Sequence, residues 1–324
     1  MKSILASAIS GKHIELEEAK MLMDSRITPL DDLVQVSNTI TRRNFGNKID
    51  MCAIYPAKVG RCSGDCAFCS QSTHHKCNIT PIHTDELNED EIVVNAKELH
   101  RLGVGRYSLV TSGEHLTDSE FDKIISIFKQ VKAKTGLALC ASLGMLTIER
   151  AVRLKEVGVV RYHHNIETSR SYFTEICSTH SYDDKIETLN IARALGLEIC
   201  CGGIISMGET AEQRVEMAFA IKELNVTCVP INILNPISGT RLENQALLDT
   251  DDILRTIAVF RLILQDKPLR FAGGREGALG QSEYLGYDAG MNAMIVGNYL
   301  TTQGKPFEEE VNNLQKAGYT IHNK

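Results

Sequence analysis

Eight short apolar runs, each followed by a longer amphipathic run, leave few architectures open to this 324-residue chain. The runs predict strands at Asp50–Tyr55, Arg106–Thr111, Leu137–Ser142, Val160–Asn165, Glu198–Ile204, Thr227–Ile231, Leu269–Ala272 and Ala293–Val296. Between them, Glu, Lys and apolar residues recur at three- and four-residue spacing, as one buried helix face requires. Thr117 and Thr210 stand three residues ahead of Glu120 and Gln213, the spacing of a capping box, and Ser181 ahead of Asp184 is an N-cap candidate. Strand–helix alternation calls for a parallel sheet with helical crossovers, and eight such strands suit an α/β fold, a (β/α)8 TIM-type barrel. The alternative, an open doubly wound sheet, lacks an early G-x-G-x-x-G. The expected layout is a single barrel domain over residues 1–324. It has N-terminal helices within 1–48 (two of them between about Glu15 and Asn44), a barrel core at about 49–304, and a helical tail at 305–324.

A net charge of −6 and a pI of about 6.0 speak against nucleic acid as a partner. No apolar run approaches the roughly 20 residues that span a bilayer. The opening MKSILASAIS is too short for a signal peptide, so the expected location is cytoplasmic, with no membrane attachment. In that compartment the ten cysteines point to metal binding or catalysis rather than to disulfides.

Directly after the first predicted strand comes Gly60-Arg-Cys62-Ser-Gly-Asp-Cys66-Ala-Phe-Cys69, a C-x3-C-x2-C loop. Three thiolates on a short loop hold three irons of a [4Fe–4S] cluster and leave the fourth iron open to a small molecule. Its place at the C-terminal end of a strand is where barrel enzymes keep their chemistry. The other reading is a structural zinc site with Cys77 or His74 as fourth ligand, in a zinc-stabilised barrel that binds a partner and catalyses nothing.

The three-cysteine spacing, with the aromatic Phe68 before the third cysteine, resembles the signature of the radical S-adenosylmethionine (SAM) enzymes. From about Asn38 to Thr302 the chain resembles the biotin synthases in particular. The matching segments are Lys58-Val-Gly-Arg-Cys62, Cys200-Cys-Gly-Gly-Ile204 with Gly208-Glu-Thr210, Val229-Pro-Ile-Asn232, Arg255-Thr-Ile-Ala258, Gly274-Arg-Glu276 and Leu300-Thr-Thr302. Relatives in the same group, methylornithine synthase and the hydrogenase maturase, are the alternative enzymes.

The resemblance implies a [4Fe–4S] cluster on Cys62, Cys66 and Cys69 that binds and reductively cleaves SAM. It implies SAM contacts at Phe68, at Thr111-Ser112-Gly113-Glu114 and at Glu167, and substrate contacts at His163, Asn165 and Asn232. His163 and Glu167 depart from the commoner family pattern, which has Asn and Asp there. The implied reaction is sulfur insertion into dethiobiotin, with sulfur donated by an auxiliary iron–sulfur cluster. The implied partners are a flavodoxin or ferredoxin, the cluster-assembly machinery and a second copy of the chain in a homodimer.

The common [2Fe–2S] site of the family uses three cysteines and an arginine. Here Cys140, Cys200 and Arg270 match, but Ser108 stands where a cysteine is expected. Cys52 and Cys228 occupy other strand positions. Side chains on a strand alternate faces. If Asn232 faces the barrel interior, Cys228 does too, about 13 Å deeper at ~3.3 Å per residue. The resemblance implies that Cys200 and Arg270 also point inward, and Cys201, next to Cys200, then points outward. Cys52, Cys140, Cys200 and Cys228 are thus expected to converge below the substrate. Four thiolates suit a four-iron auxiliary cluster better than a [2Fe–2S] centre, with Arg270 as a charge partner outside the ligand set. Cys77, Cys177 and Cys201 carry no assigned role.

Overall fold

The computed structural model describes residues 2–321. Three helices open the chain: α1 (Lys2–Ile9), α2 (Leu16–Met23) and α3 (Leu30–Phe45). The barrel then runs β1 (Lys48–Lys58), α4 (Glu89–Arg101), β2 (Arg106–Thr111), α5 (Asp118–Lys134), β3 (Ala138–Ser142), α6 (Ile148–Glu156) and β4 (Val159–His163). It continues through the one-turn α7 (Phe173–Ile176), α8 (Tyr182–Ala194), β5 (Glu198–Cys200), β6 (Gly203–Ile205), α9 (Ala211–Glu223) and β7 (Val229–Ile233). The last part holds α10 (Thr250–Ile263), β8 (Leu269–Phe271), α11 (Arg275–Leu279), α12 (Glu283–Asp288), β9 (Ala293–Val296), α13 (Phe307–Lys316) and β10 (Thr320–Ile321).

The expected capping boxes form at Thr117–Glu120 and Thr210–Gln213, and Ser181–Asp184 is a full box rather than a plain cap. All strand pairings are parallel, in the order β5-β4-β3-β2-β1-β9-β8-β7-β6. The ends of that path meet because β5 and β6 are two halves of the fifth predicted strand. The first half pairs with β4 and the second with β7, and the bridges Cys200↔Cys228 and Glu167↔Gly203 carry both seams across the break. A Cβ on Gly202 would overlap the Pro230 carbonyl, so the strand crosses this point only as glycine. The (β/α)8 reading therefore holds, with one strand broken.

Three details differ from the sequence reading. An additional helix, α1, precedes Glu15. The tail does not end as a helix, because Thr320–Ile321 adds a parallel strand to the start of β1. Helix α10 is buried along nearly its whole length, since α2 and α3 cover the face that a barrel helix usually turns to water. Its polar groups are accounted for: Arg255 donates to the carbonyls of Leu22 and Thr28, and Arg261 to those of Gly290 and Lys267 and to Asn292 Oδ1.

Candidate active site

A cavity of about 340 Å³ occupies the barrel interior. TIM-type barrels fill this space with layers of branched side chains; here the deep layer is largely polar or sulfur-bearing. The deep layer includes Cys52, Ser108, Cys140, Arg161, Cys200 and Arg270. Two residues further along the strands, the next layer brings in Ile54, Val110, Ser142, His163 and Ala272, with Asn232 from β7. The mouth is framed by Phe68, Cys69 and the segment Tyr299–Thr302.

The three-cysteine loop is bonded back on itself and to its neighbours. Cys62 N donates to Gln71 O at 2.9 Å, Thr73 N to Cys62 O at 2.8 Å, and Gly64 N to Cys62 Sγ at 3.4 Å. The expected SAM segment is tied to this loop. Ser112 N donates to Lys58 O at 2.9 Å and Ser112 Oγ to Gly60 O at 2.7 Å. Gly144, with φ +81°, packs so closely on Gly113 and Glu114 that a Cβ there would overlap their carbonyls. Cys69 faces the cavity, and burial pushes its thiol up to about 11. Cys62 and Cys66 stand behind the lining. Cys66 donates to Cys177 Sγ at 3.9 Å, which raises Cys66 and lowers Cys177. The zinc reading named His74 and Cys77 as fourth ligand. His74 Nε2 instead meets Ser63 O at 3.0 Å. Among the described residues the soft ligands that gather within 4.8 Å are Cys66, Cys177 and His180, without either candidate.

At the floor, Cys52, Cys140, Cys200 and Cys228 converge from β1, β3, β5 and the residue before β7. Burial raises the Cys52 thiol and pushes Cys140 up to about 12, where the nearby Cys52 adds to the effect. Cys228 is raised by its hydrogen bond with Cys200 and by burial. Cys201 faces the other way, as alternation requires, and is fully buried. Among the described residues no three floor sulfurs lie within 4.8 Å of one another. Cys52, Cys140 and Cys200 line the cavity.

Two guanidinium groups face these sulfurs. Arg270 is 2% exposed; Nε donates to Cys228 Sγ at 3.4 Å, Nη1 to Met294 O at 2.8 Å, and Nη2 to Asp50 Oδ2. Arg161 pairs with Glu198 at 2.6 Å. Burial works against both charges, yet both groups are held above their ordinary range. Cys228, Cys200 and Cys140 do this for Arg161, and Cys228, Asp50, Cys52 and Cys200 for Arg270. Ser108 Oγ, between Ile54 and Cys140 in register, is buried without a hydrogen-bond partner, as is Thr111 Oγ1 at the end of the same strand. An unsatisfied buried hydroxyl costs about 1–3 kcal/mol, and a bound group with acceptor atoms removes that cost. Four thiols, an orphaned hydroxyl and two fixed cations fit an anionic iron–sulfur group.

The middle layer holds the expected substrate residues. Asn165 Oδ1 accepts from Gly202 N at 3.1 Å, leaving its Nδ2 donors free. Asn232 is more committed than the sequence reading supposed. Nδ2 donates to Gly203 O at 3.2 Å and Oδ1 accepts from Gly273 N at 3.0 Å, leaving one donor and one lone pair. Burial lowers His163 and keeps it neutral near pH 7. Glu167 sits in the left-handed region at φ 67°, held by Ile204 N donating to its carbonyl at 2.7 Å. Such a backbone costs about 1–3 kcal/mol and persists where the surroundings impose it. Buried Lys185 lies 3.6 Å from the Glu167 carboxylate, and Glu114 Oε1 lies 2.9 Å from His180 Nδ1.

Sequence reasoning missed Arg161, Asp50, Lys185, Cys177 and His180. A signal existed for Arg161: it lies two residues before His163, on the same strand face. Asp50 likewise precedes Cys52 by two.

Two family models cover most of the chain: "Radical SAM superfamily" over residues 58–221 and "Biotin and Thiamin Synthesis associated domain" over residues 230–320. The barrel runs unbroken between them, since β6 lies in one and β7 in the other. Among solved structures, methylornithine synthase aligns with a TM-score of 0.84 at 17% identity, covering 98% of this chain and 97% of that one. An FeFe-hydrogenase maturase from Carboxydothermus hydrogenoformans aligns at 0.83 and 16% identity, covering 99% of this chain and 79% of its own. At those identities they share the fold alone. Biotin synthase of Acetivibrio thermocellus is 49% identical over 313 residues, covering 96% of each chain. That of Carboxydothermus hydrogenoformans is 44% identical over 321 residues, covering 98% of each. Identity of that extent, over a barrel with a three-cysteine loop at its mouth and four cysteines at its floor, means that the chain belongs to the biotin synthase family of radical SAM enzymes.

Proposed function

We propose that this enzyme inserts sulfur between two carbons of dethiobiotin to form biotin. The observation that carries the reading is one cavity with Cys69 of the three-cysteine loop at its mouth and Cys52, Cys140 and Cys200, the last hydrogen-bonded to Cys228, at its floor, with amide side chains between them. Cys62, Cys66 and Cys69 would hold the [4Fe–4S] cluster that binds SAM, and Cys52, Cys140, Cys200 and Cys228 the sulfur-donating cluster. When bound, the first group would supply the electron that reductively cleaves SAM to the carbon radical that takes hydrogen from unactivated carbon, and the second the sulfur that replaces that hydrogen.

The rest falls to the chain's own residues. Asn165 offers free amide donors to the ureido oxygen, and Asn232 adds one donor and one lone pair to the ring edge. Neutral His163 presents a ring nitrogen to the same cavity. Glu167, balanced by Lys185, presents a carboxylate that accepts two ribose hydroxyl hydrogen bonds. Ser112 and Gly144 hold the Thr111–Glu114 segment where its carbonyls and the Glu114 carboxylate meet an ammonium group. Tyr299, anchored to Glu276 at 3.0 Å, holds the mouth segment that screens the cavity from water.

The donor set favours a four-iron auxiliary cluster over a [2Fe–2S] one. Arg270 has all three guanidinium nitrogens engaged, which suits a charge partner rather than a ligand. A single-domain, cytoplasmic homodimer served by a flavodoxin or ferredoxin and by cluster-assembly proteins completes the proposal.

The test is anaerobic. Protein reconstituted with iron and sulfide is given SAM, a reductant and dethiobiotin, and products are read by mass spectrometry. Biotin with 5′-deoxyadenosine supports the reading. Deoxyadenosine without biotin, in protein carrying both clusters, removes dethiobiotin as the substrate.

A further inference from the structure

Beside the mouth of the cavity lies a group of soft ligands, Cys66, Cys177 and His180, of which the proposed reaction uses only Cys66. Cys177 Sγ is 3.9 Å from Cys66 Sγ and 3.5 and 3.6 Å from His180 Nδ1 and Nε2. The Sγ–Sγ and Sγ–Nε2 separations are those of ligands that share one tetrahedral ion, all three ligand atoms lie within 4.8 Å of one another, and the equal distance to Nδ1 means that the ring turns as the ion binds. With Zn–S at ~2.3 Å and Zn–N at ~2.05 Å, tetrahedral geometry separates two sulfurs by about 3.8 Å and a sulfur from a nitrogen by about 3.6 Å. A disulfide would need the sulfurs at about 2.05 Å.

The frame around the group is built rather than accidental. Asp65, next to Cys66, accepts from Ser178 N at 2.9 Å, Ser178 Oγ at 2.5 Å and Thr179 N at 3.2 Å, which binds the turn after Cys177 to the three-cysteine loop. Ala67 N donates to Ile176 O at 2.8 Å, and Arg241 Nη2 spans Ile176 O and Asp65 O. Glu114 Oε1 sits 2.9 Å from His180 Nδ1. A carboxylate on one ring nitrogen fixes the tautomer and turns the other nitrogen toward a metal, the usual support of a histidine ligand. Phe173 packs edge-on against the His180 ring. Two thiolates balance the charge of a divalent ion, and the imidazole adds a third ligand.

We propose that in the cluster-free protein Cys66, Cys177 and His180 bind one divalent, thiolate-seeking ion, zinc or ferrous iron, and that Cys66 must leave this ion to join the three-cysteine cluster. The second half rests on the cluster assignment made above; the first does not. Zinc bound here blocks cluster assembly, whereas ferrous iron is already at the loop that will receive it.

The probe is cobalt(II), titrated anaerobically into reduced, chelator-stripped full-length protein and followed by thiolate-to-cobalt charge-transfer absorption. Cys177→Ser and His180→Gln are each expected to bind one equivalent fewer than the unaltered protein, or to bind it at least tenfold more weakly. Cys62→Ser should leave that equivalent in place. Circular dichroism checks each variant, and His180→Gln carries the test if Cys177→Ser misfolds. Both variants matching the unaltered protein in equivalents and affinity would overturn the site. Metal-free, zinc-loaded and ferrous-loaded protein are then given iron and sulfide. Zinc should slow growth of the cluster absorbance at least tenfold and ferrous iron should not; equal rates in all three overturn the exclusivity. Failure of the cluster assignment reads differently, as SAM cleavage that survives Cys62→Ser and Cys69→Ser.

Discussion

Replacing Asp50 with asparagine should destabilise the cluster-free protein far more than the loaded one. Arg270 is a cation with a side chain 2% exposed, and Asp50, 24% exposed, is its carboxylate partner. Burial alone would raise the Asp50 carboxyl, yet the attraction of Arg270 and Arg106 holds it below the usual range. Removing one partner of a buried ion pair costs about 3–5 kcal/mol, because the other charge stays buried and unbalanced. Asparagine keeps a hydrogen-bond acceptor in place, so the lower end applies: about 3 kcal/mol, or roughly a hundredfold in the folding equilibrium. In the loaded protein the anionic group on the floor cysteines faces the same guanidinium and replaces the lost charge. The loss there should fall to about 1 kcal/mol or less, the scale of a residual hydrogen-bond change. Urea denaturation under anaerobic conditions, on chelator-stripped and reconstituted samples of both proteins, measures the two differences. The sign with pH follows from the lowered carboxyl: the Asp50 contribution is present above the ordinary carboxylate pKa and is lost as pH falls through its depressed folded value. Equal losses in the two forms would refute the claim that Arg270 faces the cluster. A stripped variant as stable as the original would refute the ion pair itself.

Three further outcomes are expected. Cys52→Ser should lower the iron bound after reconstitution and abolish biotin formation; unchanged iron and activity would remove Cys52 from the ligand set. Gly202→Ala should cost about 3 kcal/mol or more, since its Cβ meets the Pro230 carbonyl where the barrel closes, and an unaltered melting temperature would show that the strand relaxes there. His164 is buried and His163 half-buried, and desolvation holds both below the ordinary histidine range, with Lys185 adding to the effect at both. Stability should therefore fall as pH drops below about 6.5, where the unfolded chain takes up protons that the folded one refuses, and a His164→Phe variant should flatten the profile measured from pH 7 to 5.

The Asp50 argument depends on a contact 220 residues apart in sequence, and it marks where the sequence stops being readable. The eight strands, the capping boxes and the three-cysteine loop are short-range patterns. Hydrophobic period, cap spacing and ligand spacing are written within about ten residues, so they survive without coordinates. The family resemblance marked Cys52, Cys140 and Cys200 as one set, and the period of two added Cys228 to it and made Cys201 the exception. Legibility ended where function depends on which strand lies next to which. Arg161 joins the floor because β4 lies between β3 and β5, and Asn232 spends much of its amide on backbone because the fifth strand breaks beside it. Cys177 looked incidental until packing set it 3.9 Å from Cys66, 111 residues earlier. Side-chain type and local spacing determined what chemistry this chain carries; barrel closure, which sets distances between remote residues, decided which side chains share it.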